Sequence, residues 1–265
     1  MTRFAQIPPR HSHAAEIGCE GEGMSITGDL LRARVSWWPA RTQSVLFDAV
    51  HGVDTGYKLP AELEITSANR DKGFAYDPCP WPALRQTLRL ASLQAEGFTF
   101  VDIGCGKGKV LLAAMTMPFL RAVGVEYSPY LCRVATQNMT SARLLTRRCP
   151  RVEIICADAT RYPIPEDPTI LFFANPFGYD IMECVLDNIA ASYERKPRQL
   201  VMMFYRVSAL MPRVSHFLST HAARWTVSTT LARRSVNIFE LGSPSEVRLQ
   251  SGLALAPTDP PSPIS

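Results

Sequence analysis

Three glycines at alternate positions, Gly104, Gly106 and Gly108, are the first residues of this sequence that could form a ligand site. They follow the apolar stretch 98–103 and precede the helical stretch 109–117. A glycine turn between a strand and a helix lets a ligand approach the backbone closely and directs N–H groups at it, as in nucleotide-binding proteins. The pattern therefore predicts a nucleotide-like ligand at the carboxyl end of a parallel sheet.

An acidic residue, Asp102, stands two positions before the first glycine. Its carboxylate would repel a pyrophosphate and would suit a ligand that carries an ammonium group. The glycine spacing is also one residue shorter than the G-x-G-x-x-G of dinucleotide-binding proteins, so a nicotinamide-dependent oxidoreductase is the weaker alternative. S-adenosylmethionine has the ammonium group and no phosphate, and we predict it as the cofactor. Its predicted contacts in this turn are Asp102, Gly104, Cys105, Gly106 and Gly108.

Two further acidic residues follow the next two apolar stretches. Glu126 ends the first of them, where a carboxylate can accept hydrogen bonds from both ribose hydroxyls. Asp158 follows the second, where a carboxylate can accept from the adenine amine. A single acid at a strand end is usually a surface residue, but three acids after three successive strands favour a binding site. We therefore add Glu126 and Asp158 to the predicted cofactor site, together with their neighbours Tyr127 and Ala159.

The fourth apolar stretch ends in Asn175-Pro176-Phe177. This segment is similar to the acceptor-side motif of class I amino-methyltransferases, in which an amide and a neighbouring carbonyl hold the target nitrogen. The resemblance implies that Asn175, Pro176 and Phe177 are catalytic and that Asn175 also borders the cofactor. Adenine-N6 enzymes have Asn-Pro-Pro-Tyr instead, which does not favour a nucleic-acid adenine as substrate. The alternative is that Asn175 and Pro176 only begin a turn.

The resemblance extends from about Phe47 to Phe217 and concerns a group of bacterial class I methyltransferases without an assigned substrate. It includes the segments HGVDT (51–55), YDP (76–78), DIGCGKGKVLL, GVEYSP and FFANPFG. It implies that Tyr76 lies over the methionine end of S-adenosylmethionine. Packing in the core is the alternative for Tyr76.

Strands and helices must bring these residues together. Along the chain, apolar stretches alternate with amphipathic ones. This alternation predicts an α/β fold with a Rossmann-like, seven-stranded, mostly parallel sheet, helices on both faces and an antiparallel edge strand. The predicted parts are a mobile tail (1–25), an N-terminal cap or lid segment (26–82), the Rossmann-like domain (83–245) and a proline-rich mobile tail (246–265).

Composition limits the remaining classes of function. The chain has 265 residues, a formal net charge of +4 and 46% hydrophobic residues, which is typical of a globular protein. No apolar run reaches the roughly 18 residues of a membrane span, and the N-terminus lacks the apolar core of a secretion signal. The seven cysteines include no C-x-x-C pair, which favours free thiols in the cytoplasm and no metal site. The basic residues are not interleaved with aromatic ones, so nucleic acid is not indicated as a partner.

These patterns predict a methyltransferase that uses S-adenosylmethionine and acts on a nitrogen acceptor, a protein lysine or a small-molecule amine. The acceptor and the oligomeric state stay open. A non-catalytic cofactor-binding or scaffold protein is the main alternative, and a nucleic-acid base methyltransferase is less favoured.

Overall fold

The computed structural model describes residues 40–57, 78–174, 177–206, 211–221, 226–233 and 236–242. The helices are α1 (Ala40–His51), α2 (Ala83–Leu90), α3 (Lys109–Met115), α4 (Pro129–Ser141), α5 (Tyr179–Arg195) and α6 (Met211–His221). The strands are β1 (Thr99–Ile103), β2 (Arg121–Glu126), β3 (Val152–Cys156), β4 (Thr169–Ala174), β5 (Leu200–Tyr205), β6 (Thr226–Arg233) and β7 (Val236–Gly242). A short 3₁₀ helix covers Ala159–Arg161.

The strands form one sheet in the order β3-β2-β1-β4-β5-β7-β6. The pairs from β3 to β5 are parallel, and β7 is antiparallel to both β5 and β6. The register sets Asp102 beside Gly124 and Phe172, and Glu126 beside Cys156. The predicted α/β class, the mostly parallel sheet and the antiparallel edge are therefore confirmed.

Helices cover both faces of the sheet. Alternate residues of a strand point to opposite faces, and in β1 Phe100 belongs to one apolar cluster and Val101 to the other. The cluster of Val101 contains Val185 of α5, and that of Phe100 contains Leu111 of α3. Because both faces are buried, the central strands are continuous apolar runs in the sequence.

Several element ends differ from the predicted ones. The helix after the glycine turn ends at Met115 and not at 117, because Pro118 disfavours helical geometry in the residue before it. The sequence pattern over 128–145 predicts a helix longer than α4, which ends at Ser141, where the backbone of Arg143 pairs with His51 instead: Arg143 N donates to His51 O at 2.8 Å. The leucine spacing over 82–94 predicts a helix as well, but α2 ends at Leu90, and Ser92 then adopts a positive φ of 52°.

Both predicted tails, 1–25 and 246–265, lie outside the described residues, as does much of the predicted cap segment. Its described part includes α1, which packs beside the start of α3. Lys109 Nζ donates to Ser44 Oγ at 2.7 Å and lies 5.2 Å from the centre of the Phe47 ring. None of the helices that the structure describes is long and apolar enough to cross a membrane.

Candidate cofactor site

The glycine turn lies at the carboxyl end of β1 and depends on backbone conformations that favour glycine. Gly104, Gly106 and Gly108 have φ values of 77°, 54° and 79°. Gly104 N and Cys105 N both donate to the carbonyl of Val125, at 2.9 and 3.1 Å. These bonds fix the start of the turn against the neighbouring strand β2.

Close packing also restricts the end of the turn. A Cβ atom on Gly108 would lie 3.3 Å from Ala135 Cβ and 3.2 Å from Met139 Cε, both on α4. Gly108 therefore meets a packing requirement as well as a conformational one.

Asp102 stands on β1 immediately before this turn and is only 2% exposed. Burial raises the pKa of its carboxyl to about 8, and the nearby negative charge of Glu126 adds to that rise. A buried carboxyl with a strongly raised pKa, next to a glycine turn, is typical of a functional site. A cationic ligand would favour the charged form of Asp102.

Glu126 joins the glycine turn to the start of α4. Its Oε2 accepts from Gly106 N at 2.9 Å, and its Oε1 accepts from Ser128 N at 3.0 Å. Burial raises the pKa of Glu126, and these backbone hydrogen bonds partly oppose the rise. Each carboxylate oxygen has a second lone pair, so ligand hydroxyls can add to these contacts without breaking them.

Asp158 caps the 3₁₀ helix that follows β3. Its Oδ1 accepts from Thr160 N at 2.9 Å and from Thr160 Oγ1 at 2.8 Å. Its neighbour Ala159 packs partly buried against the core. Capping accounts for one carboxylate oxygen of Asp158, and contact with adenine stays a prediction.

Tyr127 and Cys105 complete the predicted residues around the turn. Tyr127 is half-buried, and burial together with Glu126 raises its pKa to about 12. Cys105 is buried and belongs to the apolar cluster of Phe100. Burial and the charge of Asp102 raise the pKa of its thiol well above the usual value, so Cys105 is not a nucleophile at neutral pH.

The acceptor residues are only partly described. Asn175 and Pro176 lie outside the described residues, as does Tyr76, and their predicted roles stay predictions. Phe177 is 8% exposed and packs in the same apolar cluster as Ile181 of α5. The burial of Phe177 is accounted for by packing in the core.

Sequence reasoning missed Gly124 in the middle of β2. A Cβ atom there would lie 2.7 Å from Cys105 Sγ and would also collide with Leu111. Its sequence signal is a glycine inside an otherwise apolar strand, which often marks a close approach of backbone. Asp54 and Asn138, which contact the turn at Lys107, were missed as well.

The side chains present fit a cation better than a phosphate. The two lysines of the turn are engaged away from it: Lys107 Nζ lies 2.6 Å from Asp54 Oδ1, and Lys109 Nζ contacts Ser44. The buried acidic groups beside the turn are the carboxyls of Asp102 and Glu126. Among the described residues, no three side chains of the metal-binding types lie together. This donor set fits S-adenosylmethionine.

Part of the chain is similar to known methyltransferases. Residues 100–196 match the family described as "Methyltransferase domain". The chain is similar to ribosomal protein L11 methyltransferase of Pectobacterium carotovorum, with 32% identity over 69 residues, covering 26% of this chain and 23% of that protein. It is 27% identical over 139 residues to the same enzyme of Sodalis glossinidius, covering 46% and 47%. The chain thus spans about a quarter of the length of the first of these curated relatives.

Among solved structures, the chain is similar to ribosomal protein L11 methylase of Lactobacillus delbrueckii, with 14% identity and a TM-score of 0.41, covering 59% of this chain and 78% of that one. It is also similar to an RNA methyltransferase of Salinibacter ruber in complex with S-adenosyl-L-homocysteine, with 20% identity and a TM-score of 0.41, covering 62% and 92%.

A Rossmann-like sheet with a glycine turn and buried acids at its carboxyl edge defines a nucleoside-type cofactor site. The family match over 100–196 makes the class specific. Over these residues the chain resembles a methyltransferase domain, and S-adenosylmethionine is the cofactor of class I methyltransferases.

Proposed function

We propose that this chain is an enzyme that transfers the methyl group of S-adenosylmethionine to a nitrogen acceptor, a protein lysine or a small-molecule amine. The observation that carries the proposal is the pair of buried carboxyls, Asp102 and Glu126, beside a glycine turn whose lysines are paired elsewhere. The family match over residues 100–196 supports it.

The cofactor side of the mechanism is binding and orientation. Bound S-adenosylmethionine supplies an electrophilic methyl group on a sulfonium centre. Asp102 accepts hydrogen bonds from the ammonium group, Glu126 from the ribose hydroxyls and Asp158 from the adenine amine. Tyr76 and Tyr127 border the ligand, and the backbone of Gly104, Cys105, Gly106, Gly108 and Ala159 lines its site, where the glycines allow a close approach. Such positioning in a site that excludes water supplies much of the rate increase.

The acceptor side of the mechanism requires a neutral amine, because a protonated nitrogen has no lone pair with which to attack. Asn175 holds the acceptor nitrogen through its side-chain amide, together with the backbone carbonyl of Ala174 or Pro176. Phe177, which is buried in the core, anchors this segment at the start of α5. No strong general base is needed when the amine arrives neutral.

The test has two arms, binding and transfer. Calorimetry with purified protein measures the affinity for S-adenosylmethionine. Incubation with the methyl-labelled cofactor and a cell extract, followed by separation into protein, RNA and small molecules, then identifies the labelled acceptor. We expect binding, with label in the protein or small-molecule fraction. Label in RNA would contradict the nitrogen acceptors proposed, and binding without any label would favour the scaffold alternative.

The variant Asn175→Ala tests the acceptor role directly. We expect it to abolish turnover and to leave the affinity for S-adenosylmethionine nearly unchanged, because the amide holds the acceptor. A loss of cofactor affinity with turnover retained at saturating cofactor would reject this role for Asn175.

A further inference from the structure

The segment 48–55, which contains the whole HGVDT motif, has no part in the mechanism above. It follows the main body of α1 and is internally fixed through Asp48. Thr55 N donates to Asp48 Oδ2 at 2.8 Å, and Thr55 Oγ1 donates to Asp48 Oδ1 at 2.6 Å. The Asp48 carbonyl accepts from Gly52 N and Val53 N as well. These bonds give the segment a definite shape beside the glycine turn.

Asp54 connects this segment to the glycine turn. Its Oδ1 lies 2.6 Å from Nζ of Lys107, the residue between Gly106 and Gly108. The lysine side chain is 1% exposed, whereas that of Asp54 is 59% exposed. The lysine therefore runs through the protein interior, and its charge meets a carboxylate at the surface.

Asn138 of α4 makes the second connection. Its Nδ2 donates to the carbonyl of Lys107 at 2.8 Å and to the carbonyl of Asp54 at 2.7 Å. Its Oδ1 accepts from Asp54 N at 2.8 Å. Both N–H groups and the oxygen of one buried amide are thus used to join the turn to segment 48–55.

A turn with three glycines needs such external support. Glycine has more backbone freedom than any other residue, so an unsupported turn would populate many conformations. A ligand that binds only one conformation loses apparent affinity in proportion to the fraction of protein that is competent. Glu126 fixes Gly106 N, and the bonds of Asp54 and Asn138 fix Lys107.

We infer that Asp54 and Asn138 are positioning residues for the cofactor: they hold Lys107, and through it the glycine turn, in the conformation that binds S-adenosylmethionine. The inference rests on the proposed binding of that cofactor at this turn. It assigns a role to the HGVDT motif and makes segment 48–55 part of the cofactor site.

The test measures affinities for S-adenosylmethionine and S-adenosylhomocysteine by calorimetry, with the melting temperature followed by circular dichroism. We expect Asp54→Ala and Asn138→Ala to weaken the binding of both ligands by about tenfold. If the turn adopts the binding conformation about one-tenth of the time, the apparent affinity falls by that factor. The matched control is Asp187→Ala, which removes an exposed carboxylate from α5. Its affinities should equal those of the wild-type protein.

Two more variants separate positioning from stability. Asp54→Asn keeps an oxygen that accepts from Lys107 and should bind more tightly than Asp54→Ala. Asp54→Ala/Lys107→Met removes the buried charge together with its partner. We expect it to recover melting temperature relative to Asp54→Ala and to bind no more tightly, since the support of the turn is still missing.

Four results would overturn the inference. Lower melting temperatures with unchanged affinities would make both residues purely structural. Loss of affinity for S-adenosylmethionine alone would mean that Asp54 acts by its charge on the sulfonium. Failure of the wild-type protein to bind either ligand would overturn the proposed function and this inference together, whereas wild-type binding with unaffected variants overturns the inference alone.

Discussion

The two halves of the sheet differ in what stands at the carboxyl ends of their parallel strands. Acidic residues stand at or near the carboxyl ends of β1, β2 and β3, namely Asp102, Glu126 and Asp158. Strands β4 and β5 carry stacked aromatic rings near their ends, with Phe173 and Phe204 4.7 Å apart between centroids. We call β1–β3 with their acids the cofactor half, and β4–β5 with β7 the acceptor half.

This difference reflects two kinds of requirement. A cofactor of fixed chemistry requires fixed donor and acceptor types, so the cofactor half can be identified from residue types and spacing. The acceptor varies from one methyltransferase to another, and the aromatic packing of the acceptor half identifies no substrate. Mutations in the cofactor half should therefore mainly change the affinity for S-adenosylmethionine. Mutations in the acceptor half should mainly change the free energy of unfolding.

The largest expected effect is on stability in the acceptor half. Phe173 is fully buried and stacks on Phe204. We expect Phe173→Ala to lower the free energy of unfolding by about 3–5 kcal/mol, the usual cost of emptying a buried phenylalanine site. Denaturant titration measures this loss. Affinity for S-adenosylmethionine, measured on the folded fraction, should change little, and a large loss of affinity would break the division between the halves.

The next largest expected effect is on ligand affinity, in the cofactor half. Asp102→Asn keeps the shape of the side chain but removes the charge that we propose meets the ammonium group. We expect affinity for S-adenosylmethionine to fall by roughly 10- to 100-fold, which corresponds to about 1.5–3 kcal/mol for a hydrogen bond to a charged group. Calorimetry measures the affinity, and unchanged binding would remove Asp102 from the cofactor site.

The same variant should raise the melting temperature of the ligand-free protein. The pKa of Asp102 is about 8 in the folded state against a usual 3.8, so the folded protein holds this proton more tightly than the unfolded chain. Its contribution to stability is complete below pH 4 and is lost as the pH rises towards 8. The Asp102→Asn variant has no carboxyl at this position and does not lose stability in this way. Its melting temperature should therefore exceed that of the wild-type protein most clearly near pH 8.

The sequence predicted much of the fold because the central strands are buried on both faces. The apolar runs 121–126, 152–156, 169–174 and 200–205 of the sequence coincide with β2, β3, β4 and β5. Ser128, of a residue type that favours helix N-caps, caps α4. The three acids could be placed at one edge because the carboxyl ends of parallel strands meet there.

Contacts between distant segments could not be predicted in the same way. Asp54 and Lys107 are 53 residues apart, and Asp54 and Asn138 are 84 apart. No local pattern reports such pairs, because they depend on how α1 and segment 48–55 pack against the helices of the sheet. The early end of α4, where Arg143 bonds to His51, has the same cause.

The smallest expected effect is the pH dependence of cofactor binding. The cationic ligand favours the carboxylate of Asp102, whose pKa is about 8 in the ligand-free protein, so binding below that pH must release a proton. Affinity for S-adenosylmethionine should rise by up to about tenfold from pH 6 to pH 7, and the rise should end near pH 8, where an α-amino group loses its own proton. Calorimetry in two buffers of different ionisation enthalpy counts the protons released. Asp102→Asn should flatten the rise, and an equally steep rise in that variant would assign the proton to Glu126, the other buried carboxyl whose pKa is raised.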